Sequence, residues 1–512
     1  MPSSSSGVGP VLDALTETGA IGSTRRQIAD RIHGSEETVG RWLTELERDG
    51  RALRIGRGLW ILRAFESLND RHDFLEPGFY TERFEAEFGL RVGRYAGPIT
   101  FSPNEELPVH RWWPYVQGYS AEFVEELLRR SGLSPGAGVL DPFAGSGTTL
   151  VVARQQGCAA VGTELLAPAA LAGRVKTAFE TSPDALRTTA RTVVHRARQR
   201  RPGPPPFLRE TRQHFSSATL ADLTRLRDAL PGAPAPVRDS LRIAFGRILI
   251  PVSRLRRSPC LGYRPGDSVP DGEVFERFLG AVADMAHDLR LLQATRAQWG
   301  PPARIFETDA RNLPLRDGSV DLAVTSPPYV NGMDYVMNYK LDLAWLGFAH
   351  SYADLRQLRA SLVACDNLPR DEVSAYRAVE KAPDSWLPAI LRQIQENVAR
   401  KGSYRRDDMH GVVHRYFSDL VPVLRGVYRA LKPGGRFVLV VGDSLLAGTY
   451  VPGDLLLARM GAAQGFEVAS VEVARSRRSG QRRSFLLRES IVTLEKPRRP
   501  APSPARARRL DG

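Results

Sequence analysis

Apolar positions recur at helical spacing near the start of the chain. In "SEETVGRWLTELERDG", Val39, Leu43 and Leu46 fall on one face behind a serine suited to an N-cap. "GPVLDALTETG" predicts a helix ending at Gly19. "STRRQIADRIHG" predicts another, starting at its serine and stopping at Gly34. The period then changes: "RALRIGRGLWIL" alternates around two glycines, as a small hairpin does. Further on, short apolar runs alternate with helical stretches. "AGVLDPFAG", "CAAVGTEL", "ARIFETDA", "VDLAVTSPPY" and "GRFVLVVGDS" read as five strands ending in turn or acidic residues. Such alternation predicts an α/β fold on a doubly wound, Rossmann-like parallel sheet. Two long segments interrupt it: a largely helical insertion over 177–300 and a helical one over 350–410.

The order helix, helix, helix, hairpin over 1–65 resembles a winged helix-turn-helix domain. Its third helix carries Glu36, Glu37, Glu45, Glu47 and Asp49 against Arg41 and Arg48, which argues against a groove-reading face. Arg51, Arg54 and Arg57 on the wing are the candidate phosphate contacts. Residues 66–110, rich in aromatics and turns, read as a connector. The stretch 497–512 reads as a disordered basic tail, with five Arg against one Asp.

Composition narrows the function. The chain has 512 residues and a net charge of +14, with 71 Lys and Arg against 57 Asp and Glu. That excess favours a polyanionic partner such as nucleic acid. No run approaches a membrane span, and the N-terminus lacks the apolar stretch of a signal peptide. Cys158, Cys260 and Cys365 lie far apart with no CxxC, which points to a reducing cytoplasm and away from a zinc site or disulfide framework. Pro259-Cys260 has no accompanying deaminase pattern, and the histidines show no metal spacing.

Three stretches carry chemistry. In "VLDPFAGSGTTL", Asp141 ends a strand, Gly145 and Gly147 bracket Ser146, and a helix opens at Thr148. Glycines there permit a tight turn and close approach of a ligand to a helix N-terminus. No Lys-Ser/Thr follows, so the ligand is not primarily a triphosphate. Glu164 ends the next strand, 23 residues after Asp141, where an acid accepts from ribose hydroxyls. Asp309 ends the third strand, and Asp321 opens the fourth as a cap. The fourth strand then runs into Thr325-Ser326-Pro327-Pro328-Tyr329, although prolines cannot donate to a sheet ladder.

"DPFAGSGTT" followed by "TSPPY" resembles the S-adenosylmethionine-dependent amino-methyltransferases of DNA, which methylate the exocyclic nitrogen of cytosine N4 or adenine N6. "HRWWPYVQGYSAEFVEELL" is similar to the segment lining the methionine end of the cofactor there, and "LKPGGRFVLVVGDS" resembles the fifth strand of the wider class. The resemblance implies that Asp141, Pro142, Phe143, Ala144, Gly145, Ser146, Gly147 and Thr148 form the cofactor loop. It implies that Glu164 holds the ribose and Asp309 the adenine. It assigns catalysis to Ser326, Pro327, Pro328 and Tyr329: Ser326 and the Pro327 carbonyl accept from the target amine, and Tyr329 stacks on the base. The methyl acceptor would be duplex DNA with its base flipped out. Ser326 favours cytosine N4, and adenine N6 is the alternative. An RNA amino group, or a non-catalytic winged-helix regulator, are further alternatives.

On this resemblance the domain expectation is 1–65 winged helix-turn-helix, 66–110 connector, 111–176 first part of the catalytic core, 177–300 target-recognition insertion, 301–496 second part, and 497–512 tail. "RILIPVSRLRRSPCLGYRPG" would grip DNA through its five arginines and Tyr263. Asp334, Tyr335, Asn338 and Tyr339 are candidates for the base pocket, while Leu341, Leu343 and Leu346 read as core. The resemblance leaves room for a restriction or defence partner protein and names none.

Overall fold

The structure is a computed structural model that describes residues 7–18, 23–55, 59–63, 77–97, 99–100, 102–116, 118–257, 260–264, 273–295, 299–365, 368, 370, 373, 382–401, 406–478 and 486–498. Arg57, Pro259 and the tail beyond Arg498 lie outside the described residues. The chain divides into two units, Met1–Gly89 and Leu90–Gly512.

The first unit contains α1 (Gly9–Thr18), β1 (Ser23–Thr24), α2 (Arg25–Arg31), α3 (Glu36–Arg48), β2 (Ala52–Ile55), β3 (Leu59–Leu62) and α4 (Pro77–Phe88). The strands form a sheet in the order β1-β3-β2. Val11, Leu15, Ile28, Val39, Leu43, Leu46 and Trp60 make one buried cluster. The cap of α2 is Thr24 rather than the serine before it. Thr24 and Gln27 form a reciprocal capping box, and Ser23 and Thr24 pair with Trp60 and Leu59 in the sheet. The acidic side chains of α3 are exposed. Helix α4 falls in the stretch expected as a connector and belongs to this unit.

The second unit is built on an eight-stranded sheet in the order β4-β14-β15-β11-β10-β5-β6-β9. These strands are β4 (Gly93–Arg94), β5 (Gly138–Asp141), β6 (Ala159–Thr163), β9 (Arg304–Phe306), β10 (Val320–Thr325), β11 (Leu431–Gly442), β14 (Glu467–Arg478) and β15 (Leu486–Glu495). The five expected strands are β5, β6, β9, β10 and β11, all parallel. The expectation of an all-parallel sheet needs correction. β15 enters antiparallel between β11 and β14, because β14 and β15 form a long hairpin that needs no crossover. β10 is buried on both faces at the sheet centre. Asp321 at its start accepts from the Gly138 N–H at 2.8 Å and pairs with Lys432, so it tethers neighbouring strands as a cap-like residue would.

Helix α5 (Ala121–Ser131) precedes β5, α6 (Thr148–Gln155) follows it, and α7 (Ala167–Thr177) follows β6. The insertion after α7 is helical, with one small hairpin made of β7 (Leu255–Arg257) and β8 (Leu261–Tyr263). Several of its arginines have internal partners. Arg247 pairs with Asp284, Arg257 with Asp342, and Arg264 donates to the Leu255 carbonyl.

One buried carboxylate fixes the segment entering α5. Asp288, fully buried on the insertion's helix Val274–Thr295, accepts from the Val109 N–H at 3.0 Å, Trp112 Nε1 at 2.9 Å and Arg111 Nη2 at 2.6 Å. The resulting turn holds Val109 at φ 70°, a conformation few non-glycine residues adopt. Removing one partner of a buried ion pair costs about 3–5 kcal/mol. Asp288→Ala is therefore expected to lower the guanidinium unfolding midpoint, read by tryptophan fluorescence. A wild-type midpoint would show that this tether contributes nothing.

Candidate functional site

The ends of β5, β6, β9 and β10 converge on one edge of the sheet. At the tip of β5, Asp141 is 2% exposed and collects four donors. Its Oδ2 accepts from Tyr119 at 2.8 Å and Thr149 at 2.7 Å; its Oδ1 accepts from Thr325 at 2.7 Å and the Phe143 N–H at 3.1 Å. Burial pushes its pKa above the ordinary value, and the four hydrogen bonds pull against that rise. Thr325, the last residue of β10, also accepts from the Phe143 N–H at 3.2 Å.

The loop then turns through Gly145 at φ 51° and Gly147 at φ 89°. A Cβ at Gly145 would stand 2.9 Å from the Tyr115 ring, and one at Gly147 would stand 2.9 Å from Gly173 Cα on α7. Ser146 accepts from the buried Lys176 at 3.1 Å, and that lysine also donates to the Trp113 carbonyl at 2.9 Å. Burial holds the Lys176 ammonium down to about 7. Glu164, just past β6, accepts from the Gly145 N–H at 2.8 Å and the Leu166 N–H at 2.7 Å. Burial raises its pKa to about 7, with those backbone donors opposing.

A first cavity opens over this edge. All the expected cofactor residues line it except Gly147, whose part is the close approach to α7. Its acidic lining residues are Asp141, Glu164 and Asp309, and it has no lysine or arginine among the described residues. Asp309 is not free, however. Arg311 grips both of its oxygens, at 2.6 Å from Oδ2, and also reaches Asp419.

A second cavity adjoins the first. Ser326, Tyr119 and Tyr335 line both; Pro328 faces the first, while Pro327 and Tyr329 face the second. The Tyr329 ring lies against the β11 backbone, 2.8 Å from where a Gly442 Cβ would stand. Its hydroxyl donates to Glu489 at 2.7 Å and hydrogen-bonds Ser326. Of the four further candidates, Tyr335 lines both of these cavities. Asp334 caps a turn and pairs with Arg359, Asn338 is buried, and Tyr339 stacks on Tyr115 with Trp113 tilted against both. Leu341, Leu343 and Leu346 are buried, as expected. Sequence reading missed Tyr119, Thr325 and Glu489 as structural partners of the site, and Asp443 in its wall. Only Asp443 left a signal, as the acid directly behind an apolar strand. No cluster able to hold a metal ion occurs among the described residues.

A model of the DNA methylase family, covering its N6 and N4 members, matches residues 102–169. The Type II methyltransferase M.BsoBI of Geobacillus stearothermophilus is 24% identical over 450 residues, 78% of this chain and 88% of its own length. M.AvaI of Nostoc sp. strain PCC 7120 is 24% identical over 461 residues, 81% and 92% of the two chains. The chain is thus similar in sequence to DNA methylases and to Type II methyltransferases. A solved methyltransferase from Methanosarcina mazei is 11% identical and covers 72% of this chain and 97% of its own, at a TM-score of 0.24. The family match thus ends just past Glu164 and takes in the whole glycine loop.

Gly147 offers a direct check on the loop. Gly147→Ala combines positive-φ strain with a clash against backbone, together about 1–3 kcal/mol. Its thermal midpoint is expected to fall below that of the wild type; an unchanged midpoint would mean the loop relaxes freely.

Proposed function

We propose that the protein transfers a methyl group from S-adenosylmethionine to the exocyclic N4 of cytosine in duplex DNA. The observation carrying this reading is the pair of adjoining cavities that share Ser326, one lined by carboxylates without a basic side chain. The acidic lining suits a cationic adenosyl ligand and disfavours a triphosphate. A carboxylate has about four acceptor sites. Glu164 commits two to backbone N–H groups, leaving the others for ribose hydroxyls. Asp309, shared with Arg311, would stand at the adenine end. Asp141 acts through the loop it holds rather than on the ligand. When bound over the glycine loop, with Glu164 and Asp309 at its adenosine, S-adenosylmethionine would supply an electrophilic methyl group to the amine and depart as the neutral thioether, the amine proton going to solvent.

The chain's own residues prepare the amine. Its lone pair is conjugated into the base ring and is weakly nucleophilic. Acceptors out of the ring plane, Ser326 Oγ and the Pro327 carbonyl, pull the nitrogen toward tetrahedral geometry and localise that pair. The two prolines hold the loop at little entropic cost. The Tyr329 ring, pinned through Glu489, offers a face to a flipped base. The serine in the first motif position supports cytosine; adenine N6 is the second reading. We further infer that the first unit is a winged helix-turn-helix, supported by its sheet order and helix succession.

Ser326→Ala is expected to lower methyl incorporation into duplex DNA by about 10²-fold, the scale of losing one preorganised hydrogen-bonding group, with cofactor affinity kept. Unchanged turnover would remove Ser326 from the chemistry. Nucleoside mass spectrometry should find N4-methylcytosine; N6-methyladenine alone would overturn the base assignment. Label in tRNA and not in duplex DNA would overturn the substrate. Glu164 gives a pH dependence. Its carboxyl, raised to about 7, gains a proton as pH falls and then loses acceptor capacity. Cofactor affinity by calorimetry should therefore weaken from pH 8 to pH 6 in the wild type and stay flatter in Glu164→Gln. Parallel profiles would refute the ribose assignment.

A further inference from the structure

Asp309 has a close partner that the mechanism above leaves without a task. Arg311 lies in the short helical turn Ala310–Asn312 that follows β9, with Asp309 as its cap. Its backbone N–H donates to Asp309 Oδ1 at 2.8 Å. Its Nε donates to both carboxylate oxygens, at 3.0 and 2.9 Å, and its Nη2 to Oδ2 at 2.6 Å. A guanidinium is a rigid planar fork, and gripping both oxygens fixes the plane of the carboxylate. A carboxylate offers about four acceptor sites, so these donors leave about one. Asp309 lines the first cavity and keeps 24% of its side chain exposed, so that site is open to a ligand there.

The same guanidinium supports a wall of the cavity. Ser361, Leu362 and Val363 line it, from the insertion between β10 and β11. Arg311 Nη2 donates to the Ser361 carbonyl at 2.6 Å, and Nη1 to Asp419 Oδ1 at 2.9 Å. Asp419, on helix Met409–Ala430, accepts on its other oxygen from the Ala364 N–H at 3.0 Å. Arg415, one turn earlier on that helix, donates to the Ala360 carbonyl at 3.3 Å. Backbone groups of Ala360, Ser361 and Ala364 are thus held by one charge cluster, and Arg311 joins that cluster to Asp309. Leu165, Ala310, Leu362 and Val363 add apolar side chains to the lining. Apolar side chains beside a single fixed acceptor suit a flat ring that carries one amine at its edge.

We propose that Arg311 is a positioning residue for cofactor recognition: it aims the remaining acceptor site of Asp309 at the 6-amino group of the adenine and ties the 361–363 wall against the ring. The inference rests on the S-adenosylmethionine reading of the first cavity and deepens it. With both oxygens held as acceptors, Asp309 pairs with an amine and repels a carbonyl at the same ring position. Arg311 does not itself line the cavity, so it acts on the affinity and selectivity for the cofactor and leaves methyl transfer alone.

The test uses the full chain and calorimetry with two probes, S-adenosylhomocysteine and its analogue lacking the 6-amino group. The wild type should bind the first tighter by about 10-fold or more, the scale of a hydrogen bond to a charged group. Arg311→Ala should bind both more weakly, as the wall loosens, and its ratio should shrink to within about 3-fold as Asp309 loses its aim. At saturating cofactor its turnover on duplex DNA should stay within about 3-fold of the wild type while KM for S-adenosylmethionine rises. A merely structural role would weaken both probes alike, so an Arg311→Ala protein that keeps the wild-type ratio would overturn the proposal. So would a fall in turnover with KM unchanged. If thermal unfolding shows that Arg311→Ala does not fold, Arg311→Lys decides: it keeps the charge without the fork and should still lower the ratio. A wild type that binds both probes equally would overturn the pairing of Asp309 with the amine, and the proposal with it. A wild type that binds neither would instead overturn the cofactor reading beneath.

Discussion

A single buried carboxylate holds the site together. Asp141 lies at the tip of β5 and takes hydrogen bonds from Tyr119, Thr149, Thr325 and its own loop at Phe143. A carboxylate away from water is tolerated only when fixed donors replace its hydration. Those donors come from the segment before α5, from α6, from the end of β10 and from the glycine loop. Satisfying Asp141 therefore brings all four to one point. Thr325 is the hinge of this arrangement, since the next residue is Ser326. The loop over the first cavity and the proline turn beside the second share one frame.

The rest of the site builds outward from that anchor. Gly147 meets Gly173 backbone to backbone, and Gly145 leaves room for Tyr115, which stacks with Tyr335 and Tyr339. The two cavities differ in charge. The first has three acids in its wall; the second has Arg475, Arg477 and Arg488 beside Asp443 and Glu489. Arg475 is paired with Glu489, and Arg488 with both Asp443 and Asp454, so the basic side chains of the second cavity are largely neutralised in place. The insertion contributes less exposed charge than its arginine count implies, because Arg247, Arg257 and Arg264 turn to internal acceptors. Its firm structural contribution is Asp288, which fixes the entry to α5.

Much of this was legible in the chain because it is encoded locally. Apolar runs ending in Asp141, Glu164 and the Pro-Pro pair mark strand ends, since strands need alternating or continuous apolar faces and prolines cannot continue a ladder. Gly145 and Gly147 announce positive φ. Ser35 caps α3 as its position suggests. The α2 cap lies one residue beyond the expected serine: Ser23 and Thr24 suit the role equally and both pair in the sheet, and it is Thr24 that stands three residues before Gln27, whose side chain closes the capping box.

What the sequence by itself determined is the set of strand ends, turns and candidate site acids, because each depends on residues a few positions apart. Tertiary structure alone decided the partners. Tyr329 meets Glu489 from 160 positions away, and Arg311 closes on Asp309 while reaching Asp419. β15 slips antiparallel into the sheet because a hairpin can reach back where a crossover is not required. The meeting of Asp443 and Asp454 on Arg488 belongs to the same class. Whether a buried acid is satisfied depends on where every other donor ends up, and no local pattern records that.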